Sequence, residues 1–163
     1  VSIALEQKGQ IVAAVVYDPA KDEMFYAEKG QGAWLDDSQR LRVTQRTKMI
    51  ETVYATGLPF AGSKYLPAAL SDLGRLLPVC AGVRRWGAAS LDLAYVAAGR
   101  YDGYWERGLK IWDIAGGVLL VREAGGLVEP IRAEQDLLND GHVVAASGAV
   151  FEKFSNIIRK RPE

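Results

Sequence analysis

The chain has 163 residues, 49% of them hydrophobic and 25% charged, which is the balance of a folded globular protein rather than a disordered tail. Twenty basic residues against twenty acidic give a formal charge of zero, so a nucleic-acid binder is disfavoured and no direct DNA binding is expected. A single cysteine, Cys80, excludes an internal disulfide and a single histidine, His142, excludes a His/Cys zinc site, leaving only oxygen-ligand metal chemistry.

Residues 1–5 already read as the middle of a strand with no turn or cap before them, so an upstream segment is expected. Up to residue 44, short β-rich runs alternate with turn residues. Residues 11–17 and 24–26, joined by the Asp18-Pro19-Ala20-Lys21-Asp22 turn, read as a hairpin. Gly30-Gln31-Gly32 sits between strands and lacks the third glycine and the following helix of a phosphate loop, so it reads as a turn. After residue 51 strands and helices alternate. Strands are expected at 52–56, 83–86, 101–106 and 143–146, and helices at 64–76, 90–98, 112–124 and 150–159. The polar stretch 129–140 reads as a surface excursion. This alternation predicts an α/β fold with helices packed on a mainly buried sheet. The longest apolar run, 114–121, is far too short to cross a bilayer, no charged-then-apolar leader opens the chain, and one cysteine suits a reducing compartment. A cytoplasmic protein is the expectation.

The segment from Trp112 to Gly126 is the most informative. Trp112, Ala115, Gly116, Leu119 and Leu120 share one face of its helix, while Ile114, Gly117, Val118 and Val121 make the opposite side apolar as well. A helix apolar all round is buried. Gly116 and Gly117 each cost about 1 kcal/mol relative to Ala in a helix interior, which close packing against a neighbour would offset. Gly125-Gly126 suits the left-handed backbone that ends helices. Asp113 stands at the entry of this helix, either as a carboxylate satisfying first-turn amides or as one aimed into a cleft where a divalent cation offsets its desolvation. In Arg84-Arg85-Trp86-Gly87-Ala88-Ala89-Ser90 a strand runs through glycine into small residues that open a helix. That is either a tight turn or a place where a ligand reaches helix N-terminal amides. Glu106 ends a strand one short loop before Asp113. His142, in a turn leading into a strand, is poorly placed to act as the general base of a serine hydrolase.

The Trp112-to-Gly126 segment resembles the C-terminal signature of the inositol monophosphatase family: Trp-Asp, small residues, an apolar helix and Glu-Ala-Gly-Gly. The likeness runs along the chain through Val1-Ser2-Ile3-Ala4, Val15-Val16-Tyr17-Asp18-Pro19, Gly30-Gln31-Gly32-Ala33, Ala55-Thr56-Gly57-Leu58-Pro59-Phe60 and Ser90-Leu91-Asp92-Leu93-Ala94-Tyr95-Val96-Ala97-Ala98-Gly99. It is nearest to the bacterial extragenic-suppressor branch.

The resemblance implies a layered α-β-α-β-α sugar-phosphatase fold, with residues 1–48 as the last strands of the N-terminal sheet region and 49–163 as the C-terminal α/β domain. It implies Mg²⁺-dependent hydrolysis of inositol monophosphate or a similar polyol phosphate, with histidinol phosphate, fructose bisphosphate or a nucleotide phosphate as alternatives. By the same resemblance Asp113 is catalytic, a Mg²⁺ ligand and in contact with substrate. Gly87, Ala88 and Ala89 line the substrate pocket and Glu106 bonds sugar hydroxyls, while Lys110 has no assigned role. The family's other metal ligands belong to a Glu-Glu segment and an Asp-Pro-Ile/Leu-Asp-Gly-Thr segment, neither of which occurs here. The 163 residues alone are therefore expected to be inactive. A homodimer is implied as well. The alternative is a non-catalytic partner of the transcription machinery acting through a surface around Arg84 and Arg85, charges that could equally belong to a dimer interface.

Overall fold

A computed structural model describes residues 1–160. Its first sheet is an antiparallel meander in which every strand pairs with its neighbour in sequence: β1 (Ser2–Gln7), β2 (Gln10–Asp18), β3 (Glu23–Glu28), β4 (Gly32–Leu35) and β5 (Gln39–Arg40). The expected hairpin is β2–β3, registered with Val16 opposite Phe25. Alternation sorts its faces, because successive strand residues point to opposite sides. Ala14, Val16, Phe25, Ala27, Ala33 and Leu35 are buried on the inner side, whereas Ile3 and Leu5 on β1 are exposed.

The second sheet holds β6 (Val53–Thr56), β7 (Gly82–Arg84), β8 (Gly103–Glu106), β9 (Gly126–Pro130) and β10 (Val143–Ser147) in the order β7-β6-β8-β10-β9. β6 is parallel to both β7 and β8, and β10 is antiparallel to both β8 and β9. The helices α1 (Leu66–Leu76), α2 (Ala89–Ala97), α3 (Ile111–Glu123), α4 (Leu137–Asp140) and α5 (Gly148–Arg159) complete the chain. α2 and α3 pack between the two sheets, while α5, with α1 against it, covers the other face of the second sheet. The order of layers is thus sheet, helix pair, sheet, helix pair. No helix among the described residues is long and apolar enough to cross a membrane.

The apolar circumference of α3 explains this arrangement. Residues from Ile114 to Val121 are all buried, one side against the meander and the other against α2 and β9. A Cβ on Gly117 would lie 2.5 Å from the Leu93 Cβ on α2, and one on Gly116 would lie 3.4 Å from the Ile3 carbonyl oxygen. Two glycines, costly in an isolated helix, let α3 approach both neighbours. α5 is by contrast amphipathic: Val150, Phe151, Phe154, Ser155 and Ile158 are buried at helical spacing. Polar clasps join the layers. The Thr44 hydroxyl donates to Asp102 at 2.6 Å and the Val53 N–H to the same carboxylate at 2.8 Å. Glu123, at the end of α3, accepts the N–H groups of Gly30 and Gly32 at 2.8 and 2.9 Å, so the Gly30-Gln31-Gly32 turn is held by the protein's own carboxylate.

Three expectations need correction. The stretch 129–140 is not wholly an excursion, since β9 takes in Glu129 and Pro130 and Leu137–Asp140 form a short helix capped by Asp136. β7 ends at Arg84 because the backbone turns toward Gly87, and β8 begins only at Gly103. Trp112 is 69% exposed although it lies on the apolar stripe, because burial of α3 begins only at Ile114.

In a double-mutant cycle by urea unfolding, Gly117→Ala is expected to destabilise the protein by about 1–3 kcal/mol through overpacking, despite its gain in helix propensity. Leu93→Ala in the same chain, which removes the Cδ1 that this added Cβ would meet at 2.6 Å, is expected to recover part of that loss. Additive effects of the two changes would contradict the close contact.

Candidate functional site

The parallel strands β6, β7 and β8 end on the same side of the second sheet. From the central β6 the chain passes through α1 to β7 on one flank, and then through α2 to β8 on the other. The two crossovers run on opposite faces of the sheet, α1 with α5 and α2 with α3. This is a topological switch point, where the loops beyond the strand ends diverge and leave a crevice. A hollow of about 510 Å³ lies there, and Gly87, Ala88, Ala89, Glu106 and Asp113, all five residues singled out from the sequence, line it.

Each wall has a local cause. Gly87 has φ +94°, a left-handed conformation that other residues rarely adopt, and it turns the chain from β7 into α2. Ala88, the N-cap of α2, is extended and brings no side-chain acceptor, so the amides of this helix start are left for a ligand. Glu106 ends β8 over Gly57, where a Cβ would lie 2.0 Å from Glu106 Oε1. Only glycine fits beneath that carboxylate. Asp113 is in the first turn of α3. Its Oδ2 accepts the Lys110 N–H at 2.9 Å and its own N–H donates to the Lys110 carbonyl at 2.9 Å. Asp113 thus exchanges hydrogen bonds with the helix N-cap and also lines the hollow. Lys110 is the N-cap of α3 and contributes its backbone to that exchange. Leu58, Phe60 and Trp112 line the hollow too, with Phe60 86% exposed.

The electrostatics of the hollow are acidic. Burial raises the Glu106 carboxyl above the usual range and the Asp113 charge adds to this, while the Tyr104 hydroxyl, Arg85 and the Gly57 amide oppose them. The Tyr104 hydroxyl donates to Glu106 Oε2, and burial holds the Tyr104 pKa well above its ordinary value. Beneath them Asp92, in the first turn of α2, is wholly buried, and among the described residues neither of its oxygens has a hydrogen-bond partner. Burial, reinforced by the Glu106 charge and opposed by Arg85, pushes the Asp92 pKa up to about 7. His142 lies outside the hollow. Its Nδ1 accepts the Gly108 N–H at 3.1 Å, and burial followed by the Arg107 charge lowers its pKa.

Sequence reasoning gave no role to Gly57, Tyr104 or Asp92. Tyr104 had a usable signal, since it stands two residues before Glu106 on a strand and shares its face. Gly57 directly follows a strand, a common signature of close approach. For Asp92 the only signal was a carboxylate within an otherwise apolar helix.

Asp113 can offer a metal the oxygen that Lys110 does not hold. No group of three His, Cys, Asp or Glu side chains suited to holding an ion occurs among the described residues, so these residues do not by themselves form a metal site.

Comparison with known proteins bears on the same residues. The sequence profile described as the inositol monophosphatase family matches residues 1–163. The chain belongs to this family. It is 49% identical over 160 residues to an inositol-1-monophosphatase of Mesorhizobium japonicum, covering 98% of the chain and 60% of that protein. It is 46% identical over 159 residues to the Nus factor SuhB of Pasteurella multocida, covering 98% of the chain and 59% of that protein. The crystal structure of the extragenic suppressor protein suhB from Bartonella henselae superposes with a TM-score of 0.92 at 43% identity, over 98% of this chain and 61% of that one. The chain therefore spans about three-fifths of the length of these relatives, and its two-sheet α/β architecture is that of inositol monophosphatase structures.

The pKa of Asp92 gives a pH dependence with a definite sign. A carboxyl raised by folding contributes stability that is complete below its unfolded value, about 4, and is lost as pH rises through about 7. Asp92→Asn removes that titration. The melting temperature of the variant relative to the parent is expected to rise between pH 5 and pH 8, and a constant difference would show that Asp92 does not titrate in this range.

Proposed function

We propose that the chain is the C-terminal part of a Mg²⁺-dependent phosphate monoester hydrolase acting on inositol monophosphate or a similar polyol phosphate. The observation that carries this reading is the convergence of Asp113, Glu106 and the uncapped start of α2 on one hollow at the switch point. The α2 amides suit a phosphate or hydroxyl oxygen, because helix N-terminal N–H groups and the helix dipole favour negative charge. Glu106, oriented by Tyr104 and seated over Gly57, accepts hydroxyl protons of a polyol. Asp113 would serve as one Mg²⁺ ligand, and since no group of three suitable side chains occurs among the described residues, the remaining ligands would come from elsewhere in the longer protein. Bound there, the ion would supply Lewis-acid stabilisation of the phosphoryl oxygens. Asp113 keeps its orientation through the Lys110 N–H, and no side chain here is needed as a covalent nucleophile. A cytoplasmic homodimer belongs to the same proposal and rests on the family likeness.

Phosphate release from inositol 1-phosphate, assayed with the full-length protein and Mg²⁺, tests the reading. Asp113→Asn is expected to lower kcat at least a hundredfold, in line with loss of a metal ligand. Glu106→Gln is expected to act mainly on KM for the polyol substrate and less on an aryl phosphate. Unchanged turnover in Asp113→Asn, or no release from any polyol phosphate, would remove the proposal.

A second reading, partnership with the transcription machinery, is favoured by the exposure of Arg84 and of the neighbouring Trp86, which is 54% exposed. Relatives that carry the name Nus factor SuhB give it context. Arg84 does not line the hollow, whereas Arg85 does. Arg84→Glu is expected to weaken binding to purified transcription complexes while leaving phosphate release unchanged. Unaltered binding would count against that surface.

A further inference from the structure

Behind the loop that leads from Glu106 into α3 lies a second hollow, of about 280 Å³, which shares no lining residue with the first. Arg107, Arg132, Arg159 and Lys160 line it together with His142, and among the described residues no carboxylate does. The chain as a whole has equal numbers of acidic and basic residues, so this is a local segregation of charge.

The cations fall into two kinds. Arg107 is fixed by Asp72 and by the Ile158 carbonyl at 3.2 Å, and Arg159 by the Ile131 carbonyl at 3.0 Å and Glu129 at 2.5 Å. Arg132 and Lys160 are exposed, and neither takes part in an ion pair among the described residues. His142 completes the wall. Because its Nδ1 accepts the Gly108 N–H, the neutral ring carries its proton on Nε2 and is a donor there. The charged groups around this ring are Arg107, Lys64 and Arg132, which lower its pKa, and Asp140, which alone raises it. Three of these four charged groups are cations. The hollow is several times the roughly 30 Å³ share of one liquid water, room for a small polyatomic anion. Guanidinium and ammonium groups recognise such oxyanions by charge-assisted hydrogen bonds.

We propose that this hollow binds a small free phosphate-type oxyanion, held by Arg132, Lys160 and the His142 Nε2–H, with Arg107 and Arg159 fixed in its wall by their ion pairs to Asp72 and Glu129. The site lies beside the loop that leads into α3, whose first turn carries Asp113. Gly108 N–H donates to His142, and Leu109 N–H donates to the Gly141 carbonyl at 3.0 Å, so the backbone between Glu106 and α3 forms the partition between the two hollows.

Pyrophosphate is the probe, added to the intact protein without divalent metal. The His142 C2 proton resonance, assigned by its loss in His142→Phe, is expected to move on titration, and its pH midpoint to rise because a bound anion favours the imidazolium. In the exposed pair Arg132→Ala/Lys160→Ala, whose truncation leaves the core intact, the dissociation constant is expected to rise at least tenfold. Asp113→Asn is expected to bind as the parent does, which separates this site from the first hollow. The proposal is overturned if pyrophosphate leaves the His142 resonance unmoved, if the double variant binds like the parent, or if Asp113→Asn abolishes binding.

Discussion

The structure depends on a helix that has no polar face. α3 is buried from Ile114 to Val121 and can be satisfied only by apolar partners on both sides, so it lies between two sheets rather than on the surface of one. Its polar residues are confined to its ends. Glu123 at one end clasps the meander turn, and Asp113 at the other stands where the helix emerges beyond the sheets. Burial of the helix body thus puts a carboxylate at the mouth of a crevice that the strand order of the second sheet has already opened. Helix and sheet supply that site jointly.

Charge is distributed with the same economy. The first hollow gathers Glu106 and Asp113 above the buried Asp92, with Arg85 as the cation that lines it. The second gathers arginines, a lysine and a histidine. A formally neutral chain therefore has two hollows of contrasting charge, one on each side of the loop between β8 and α3. Buried acids are costly unless they are paired or protonated. Tyr104 and the Gly57 amide relieve that cost for Glu106, and for Asp92 burial favours the neutral form by pushing its pKa up to about 7.

Much of this was legible in the residues. The all-round apolarity of 114–121 announced a buried helix, paired glycines announced close approach, and the ordered motifs announced the family. What escaped was set by long-range contact. Gly126-Leu127-Val128-Glu129-Pro130 is short, begins with glycine and ends with proline, and it is a strand only because β10 pairs with it. Trp112 sits on an apolar stripe yet is exposed, since the burial of its helix starts two residues later. The basic hollow joins residues 107, 132, 142, 159 and 160, which no local period relates. Asp92 looked like any polar residue near a helix start, and only packing reveals that among the described residues neither of its oxygens has a hydrogen-bond partner.

The two sheets differ in what closing them costs the chain. In the meander each strand meets its sequence neighbour through a short reversal, so little loop entropy is given up per pairing. In the second sheet Tyr54 must find Gly103, and Tyr104 must find Ala145, across long intervening segments. Contact order among these residues is accordingly low in the first sheet and high in the second, which favours early pairing of the local β surface and later closure of the distant strands.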